Sequence, residues 1–445
     1  MNDLEKAYKT LYAKRKSYKT LFDYYDGEQP LMYTNQRLRE IFKNLDVYFA
    51  ENWCAVVIDS TKDRVNLKEI QITKNKGAEK AWKEIWERSQ LVLESDDVHE
   101  DAMIASESYV IAWTNGSGQM EAYANNPRMC HLFYDAEFPR VKKYGAKWWV
   151  DEDGFLRMTL YYPKRLEYYK SRKLFKNLDA NFPKSLYKHK KDAPNKYGEV
   201  PVFHFRQSRR KSKSDLKDVL PLQNGINKLL NDMLVSAEFG AFKQRFIISN
   251  SETKGKLKNS PNEVWDIPAG DGIGQQTSVG QFEATALGNY LSAMEKLATT
   301  ISSITRTPKH YFFSVGSNLS GEALIAMEAP LNKKARDRID RYAPVWEELA
   351  IFMLKAEGHK VTRDDVAPVF DRPETIQPRT QAETRELNKR AGIALKSTLR
   401  EEGKSEKEIQ QYMDDIAEEK RKEADLAQAY LDQARKNFDQ NGANE

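Results

Sequence analysis

Two long stretches of the chain place apolar residues along one helix face, and about forty residues separate them. A repeat at i, i+3, i+4 and i+7 predicts an amphipathic helix in each stretch. The first set is Leu216, Val219, Leu220, Ile226, Leu229, Leu230, Met233 and Leu234, and the second is Leu287, Tyr290, Leu291, Met294, Leu297, Ile301 and Ile304. Because both stripes are narrow and no short turn joins the helices, we expect the pair to need further partners.

The first of these helices should begin after Ser214. Pro221 lies within two turns of that point, so its first turn is expected to be kinked or separate. Between the helices, the sequence has strand-like ends and a glycine-rich centre, which predicts a small module at the tip of the pair. Its run from Gly270 to Gly274 lacks the third correctly spaced glycine of a nucleotide-binding loop and follows no βαβ pattern. We therefore expect no cofactor there.

A third long helix is predicted from near Leu319 to about Glu357, with Pro330 and Pro344 as expected kinks. A polar break that contains the run Ser314 to Asn318 separates it from the second helix. A compact fold would favour a short connection at this point. The break therefore indicates a loop with a role of its own.

Beyond Val361 a proline-rich linker leads to charged helices between Gln381 and Phe438. This stretch has few large apolar residues and would be marginal as an isolated unit. We expect it to pack against neighbouring copies of the chain, with a disordered tail from about Gln440.

The first half of the chain changes pattern near residue 105. Residues 1 to about 105 carry helical periodicity, whereas 109–205 contain short aromatic and β-branched runs. The runs are separated by Asn-Gly-Ser-Gly, Asp-Glu-Asp-Gly and Asn-Lys-Tyr-Gly, which are hairpin signals. The sequence thus predicts an α+β fold, mainly α, with an antiparallel sheet fused to a helical region.

The residues of familiar catalytic sites are missing from the sequence. In a phosphate-binding loop read through Gly403 to Ser405, Thr398 occupies the place of the first glycine. The six histidines have no metal-ligand spacing, and Cys54 and Cys130 are too few for a structural zinc site. His204, inside an apolar strand pattern, is predicted to be a satisfied core residue. We expect no enzyme, no cofactor and no metal, although a nuclease with widely separated acidic ligands stays open.

Membrane insertion is not expected, because no segment approaches the roughly 18 consecutive apolar residues of a spanning helix. The charged N-terminus lacks the apolar core of a signal peptide, which predicts a cytoplasmic protein. The net charge of +5 is small, but residues 164–217 hold seventeen Lys and Arg against five Asp and Glu. That surface is either a solvated face or a contact for an acidic partner or for DNA phosphates.

Three motifs resemble the hallmark region of phage portal proteins of the SPP1 type. They are Thr305 to Phe313 (TRTPKHYFF), Ser320 to Leu324 (SGEAL) and Lys333 to Asp337 (KKARD). The order of elements is also similar to that family over most of the chain. The resemblance is weakest in the N-terminal hundred residues and in the C-terminal helices, which match only in helical character.

The resemblance implies a portal-type fold with an α/β wing, a two-helix stem, a small clip module, a long bent helix and a helical crown. The implied boundaries are 1–213 for the wing, 214–242 for stem helix 1, 243–284 for the clip, 285–307 for stem helix 2, 308–319 for the channel (tunnel) loop, 320–360 for the long bent helix that returns to the wing, and 361–445 for the linker and crown with its disordered tail.

The same resemblance implies a non-catalytic ring subunit, expected to form a dodecamer, at the portal vertex of a virion assembled in host cytoplasm. The ring would form the channel for packaging and ejection of double-stranded viral DNA. Its further partners would be the terminase large subunit, the major capsid or scaffold protein, and a head-completion adaptor.

Particular residues are expected to carry these contacts. The DNA-facing residues of the channel loop would be Lys309, His310, Ser314, Gly316, Ser317 and Asn318. The docking residues of the clip would be Trp265, Asp266, Asp271, Gln275 and Gln276. The aromatic residues Tyr311, Phe312 and Phe313 are instead expected to anchor a helix corner.

Two other classes of protein stay open at this point. One is a DNA-packaging enzyme such as a nuclease or motor subunit, which would cut DNA or hydrolyse ATP. The other is a minor capsid or scaffold protein without a channel, which images of the purified protein would distinguish from a ring.

Overall fold

A computed structural model describes most of the chain. It covers residues 2–30, 50–73, 75–179, 186–208, 212–241, 245–248, 278–281, 283, 286–313, 320–374, 378–404 and 406–442. Helices and antiparallel sheets alternate in blocks along the sequence, and the predicted α+β class is confirmed.

Among the described residues, four helices precede the main sheets: α1 (Asp3–Tyr25), α2 (Trp53–Lys62), α3 (Lys76–Arg88) and α4 (Leu91–Ala105). An asparagine caps the N-terminus of three of them. The side chains of Asn2, Asn52 and Asn75 accept hydrogen bonds from backbone N–H groups three residues later. Each cap satisfies a donor that the first helical turn leaves free.

Two antiparallel sheets follow, in the segment where the sequence predicts them. The three-stranded sheet has the order β10-β2-β3, and the larger sheet has the order β4-β5-β6-β7-β8, with β9 paired to β7. The strands are β2 (Glu107–Thr114), β3 (Met120–Asn125), β4 (Cys130–Tyr134), β5 (Lys142–Val150), β6 (Phe155–Tyr161), β7 (Arg165–Leu174), β8 (Tyr187–Lys188), β9 (Ala193–Pro194) and β10 (Val202–Arg206).

Two of the three hairpin signals are confirmed. Residues 115–119 join β2 to β3, and 151–154 join β5 to β6. The third expectation, at Asn195 to Gly198, is wrong. Asn195 donates to the carbonyls of Tyr162 and Glu199, and the strands on either side pair with β7 and β2 rather than with each other. This turn therefore carries the chain from one sheet to the other.

A two-stranded sheet closes the helical region. β1 (Leu67–Ile72) pairs antiparallel with β13 (Val366–Phe370), although nearly three hundred residues separate them. The sequence predicts helix around β1 and a linker around β13, so this pairing is a correction to both expectations. It anchors the segment after residue 361 to the N-terminal region.

In the described residues between the sheets and the C-terminal segment, the long helices are α5 (Leu220–Ala241), α6 (Gly288–Thr305) and α7 (Gly321–Ala356). Residues 215–219 form a separate turn before α5, in agreement with the effect predicted for Pro221. α7 stays helical through both Pro330 and Pro344. The two prolines remove backbone donors but do not end the helix.

α7 lies across the main hydrophobic core. Trp346 is fully buried, and its Nε1 donates a 2.9 Å hydrogen bond to Nε2 of His99. The other ring nitrogen of His99 donates to the carbonyl of Val65 at 2.9 Å, and Tyr342 stacks on the imidazole at 5.0 Å. Burial lowers the pKa of His99 to about 3. The histidine is thus a neutral core residue with both nitrogens satisfied.

The C-terminal helices are α8 (Pro378–Arg390), α9 (Leu395–Glu401) and α10 (Glu406–Gly442). Arg385 binds Glu402 through two hydrogen bonds, and Leu399 and Ile409 are buried. Tyr430 on α10 is 70% exposed. Among the described residues, none of the helices combines the length and hydropathy that a membrane crossing requires.

Candidate functional site

α5 and α6 form an antiparallel pair. Near one end the hydroxyls of Ser236 and Tyr290 are 3.0 Å apart, and further along Gly225 lies against Leu297. A Cβ at Gly225 would be 3.3 Å from Leu297 Cδ1, so the absent side chain allows the close approach. This is the helix pair that the apolar spacing predicts.

The pair does not cover its own apolar surface. Leu291 on α6 is 50% exposed and Ile304 is 48% exposed. Met294, Ala298 and Ile301 on the same helix are buried. α6 therefore has one apolar face inside the subunit and further apolar side chains outside it, as expected of a helix that meets a second partner.

A two-stranded ribbon follows the end of the pair where Ser236 meets Tyr290. β11 (Arg245–Ile248) pairs antiparallel with β12 (Ser278–Gln281), which confirms the strand-like ends of the intervening segment. Gly280 lies beneath the ring of Phe246, where a Cβ would be 2.3 Å from Cζ. The proposed docking residues between these strands lie outside the described residues. They are Trp265, Asp266, Asp271, Gln275 and Gln276.

A sharp corner ends α6. Arg306 takes a left-handed conformation with φ of 61°, and the N–H of Thr307 donates to the carbonyl of Ser302 at 3.2 Å. The Ser302 hydroxyl donates in turn to the carbonyl of Thr307 at 2.7 Å. Pro308 cannot continue the helix and precedes a short 3-10 helix at Lys309–Tyr311.

The 3-10 helix holds the two described residues of the predicted DNA-facing set. Lys309 is exposed and has no ion-pair partner within the described ranges. His310 is half-buried, with Nε2 3.0 Å from Oε1 of Glu328 on α7. The two neighbours thus have different environments, one open and one held against the protein.

Arg64, just after α2, connects this corner to the N-terminal helices. Its guanidinium donates to the hydroxyl of Tyr311 at 2.7 Å and to Asn332 at 3.0 Å, and it also binds Glu328. Phe312 packs edge-to-face on Trp53, with ring centroids 5.7 Å apart. The prediction that these aromatic residues anchor a helix corner is confirmed for Tyr311 and Phe312.

The remaining predicted loop residues, Ser314, Gly316, Ser317 and Asn318, lie outside the described residues. α7 begins just after them, where the Ser320 hydroxyl accepts a hydrogen bond from the N–H of Ala323 at 3.2 Å. Glu328, two turns into α7, holds both His310 and Arg64. The helix after the loop is therefore tied directly to the corner before it.

A second buried polar cluster surrounds Glu107, whose partners come from α1 and β10. Glu107 accepts hydrogen bonds from the hydroxyl of Tyr18 at 2.7 Å, from Lys14, and from His204 at 3.1 Å. Burial would raise the pKa of Glu107, but His204 and Lys14 hold it well below its ordinary value. These contacts join α1 to the sheets, and the prediction that His204 is a satisfied core residue is confirmed.

Within the described ranges, no three His, Cys, Asp or Glu side chains come close enough to share a metal ion. Cys54 and Cys130 are buried and free, and burial raises the pKa of each thiol to about 12.

Sequence reasoning missed Arg64 and Glu328. Both are ordinary charged residues in helical contexts, and 264 positions separate them. Their meeting depends on the packing of α7 over α2, which no local pattern reports.

A family model described as phage portal protein, SPP1 Gp6-like, matches residues 6–426 of the 445. A search of curated proteins finds no match.

Proposed function

Because this chain belongs to the phage portal proteins of the SPP1 Gp6-like family, we propose that it forms a ring whose central channel admits double-stranded DNA during packaging and ejection. The observation that carries the proposal is the family match over residues 6–426. The half-exposed apolar side chains of α6 support it, because a ring would bury them against the next copy. The ring is expected to be a dodecamer at the portal vertex of the virion.

The channel surface is proposed to include Lys309 together with Ser314, Gly316, Ser317 and Asn318. Lys309 suits this role because its ammonium group is exposed and unpaired in the described part of the chain. A single cation can make phosphate contacts that salt screens and that are weak enough to allow sliding. His310 is proposed to line the channel as well, while its Nε2 holds the corner through Glu328.

The clip is proposed as the docking site for the terminase large subunit and later for a head-completion adaptor. The support is that its two described strands, β11 and β12, lie between α5 and α6 in the chain and contribute no residue to the main core. Substitutions at Trp265, Asp266 and Gln275 should leave assembly intact and weaken capture of the terminase. Unchanged capture by several such variants would contradict this assignment.

Packaging tests the channel role directly. Particles built with Ser314 to Asn318 shortened, or with Gly316→Trp, should assemble normally but package or retain less DNA. Lys309→Gln should have a smaller effect of the same kind, and Lys296→Gln, an exposed lysine on α6, serves as its control. Normal packaging by the shortened loop would contradict the channel role.

Turnover tests the non-catalytic role. The purified chain should neither hydrolyse ATP nor cut DNA when assayed alone. DNA cleavage by the wild-type chain that is lost in a variant purified in the same way would favour a packaging nuclease instead.

A further inference from the structure

A buried ion cluster joins the turn before α5 to α7. Asp215 accepts a 2.8 Å hydrogen bond from Nη2 of Arg338, and its other oxygen is 3.2 Å from Nζ of Lys334. All three side chains are about nine-tenths buried. Two cations therefore share one carboxylate in a place where charge is poorly solvated.

The charges of this cluster do not balance. Although Asp215 opposes the effect, burial lowers the pKa of Lys334 below its ordinary value. Nζ of Lys334 and Nε of Arg338 also lack a hydrogen-bond acceptor of good geometry among the described residues. A buried surplus cation is costly unless an anion approaches it.

A cavity of about 300 Å³ opens beside the cluster. Three further cations line it: Lys213, Arg306 and Arg341. The described structure gives Arg306 and Arg341 no ion-pair partner, so both guanidinium groups are available on the rim. Arg306 reaches the cavity from the corner that ends α6, where its left-handed conformation turns the chain.

The carboxylates on the rim are already paired. Asp218 binds Lys213, and Asp337 is 3.3 Å from Lys333. Five cations and three carboxylates line the cavity, which leaves a net charge of two positive. A single carboxylate would neutralise half of that charge, whereas a phosphate monoester or inorganic phosphate carries about 1.5 to 2 negative charges at pH 7.

We infer that the cavity between the turn before α5, the corner after α6 and α7 is a binding site for a phosphate group, free or at the 5′ end of DNA. Arg306 and Arg341 would provide the forked donors that suit phosphate oxygens, above the buried pair Lys334 and Arg338. The DNA source rests on the proposed channel function, because the corner leads into the channel loop. Binding of free phosphate does not depend on that function.

Calorimetry with inorganic phosphate and the purified full chain tests the site. We expect saturable binding that salt weakens and that Arg306→Gln and Arg341→Gln each weaken at least tenfold. Both residues are exposed, so these variants leave the buried cluster intact. Lys355→Gln, an exposed change elsewhere on α7, should bind phosphate as the wild type does.

Several outcomes would overturn the site: no saturable binding, equal binding by the two rim variants, or binding only to dissociated subunits. The last result would mean that a carboxylate of the neighbouring copy fills the cavity in the ring.

Two matched duplexes then distinguish the sources of phosphate. Displacement of phosphate by a 5′-phosphorylated duplex, but not by the dephosphorylated one, supports the DNA end as ligand. If neither duplex displaces phosphate, the result supports the free ion as the ligand. A chain that binds phosphate but forms no ring would contradict the proposed function and leave the site standing.

Discussion

The apolar residues of the main core and those on the outer face of α6 differ in burial. In the core, Trp346 of α7 and Phe205 of β10 are fully buried, and their rings are 4.8 Å apart. On α6, Leu291 is half exposed although Met294, one turn away, is buried. The main core includes Met294 and Ile301 of α6 and is closed within the subunit, whereas the outer face of the same helix stays partly exposed. The contrast is what a subunit needs if it must fold first and assemble afterwards.

The largest effect on folding should follow from a cavity in the main core. Trp346→Ala removes a buried indole and the donor to His99, so the free energy of unfolding should fall by about 3–5 kcal/mol. Urea unfolding followed by circular dichroism measures the change. Tyr430→Ala, at an exposed position on α10, should stay within about 0.5 kcal/mol of the wild type. An equal loss in the free energy of unfolding for Trp346→Ala and Tyr430→Ala would contradict the difference between the core and the exposed helix faces.

Acid should lower the free energy of unfolding through His99, which is neutral in the folded protein. The pKa of His99 is 6.5 when unfolded and about 3 when folded, so the unfolded state binds more protons between these values. The stabilising contribution is complete above pH 6.5 and declines by about 1.4 kcal/mol per pH unit as the pH falls. For His99→Gln, the free energy of unfolding should fall less steeply with pH, because one proton fewer is taken up on unfolding. Parallel curves for the two proteins would contradict this role of His99.

A smaller change concerns the corner before the channel loop. Tyr311→Phe removes one acceptor of Arg64, whose guanidinium keeps its contacts with Glu328 and Asn332. The free energy of unfolding should therefore fall by about 1 kcal/mol. Hydrogen exchange at residues 309–313 should accelerate. Tyr123→Phe, which removes the hydrogen bond from an exposed tyrosine to the carboxylate of Glu121, should change neither quantity.

The smallest effect on subunit folding is expected on the exposed face of α6. Leu291→Asp should change the free energy of unfolding by less than about 0.5 kcal/mol at a concentration where subunits are dissociated. It should nevertheless reduce the fraction of assembled rings, because it places a charge where apolar surface is to be buried. Ser292→Asp, the neighbouring exposed polar position, is the control and should assemble normally.

The parts of the fold that the sequence predicts are those set by local pattern. Apolar spacing places α5, α6 and α7, and the turn residues near Gly118 and Gly154 place two hairpins. β1 was missed because its short run lies in a helical region, and its partner strand contains Pro368, which argues against a strand.

Charged contacts between distant segments were also beyond sequence reasoning. Arg64 meets Glu328, and Asp215 meets Lys334 and Arg338, only because α7 crosses elements placed far earlier in the chain. Lys334 and Arg338 have the composition of a solvated helix face. Their burial depends on which face of α7 packs inward, and that is decided by Tyr342, Trp346 and their neighbours.

Copies of this chain are proposed to close into a ring around a channel. Electron microscopy of the purified protein, with native mass measurement of the same sample, tests it most directly. We predict end-on views of closed rings with a hole wide enough for a DNA duplex, and Leu291→Asp should lower the number of rings without unfolding the subunit. A stable monomer at all practical concentrations, or a compact oligomer without a hole, would contradict the account.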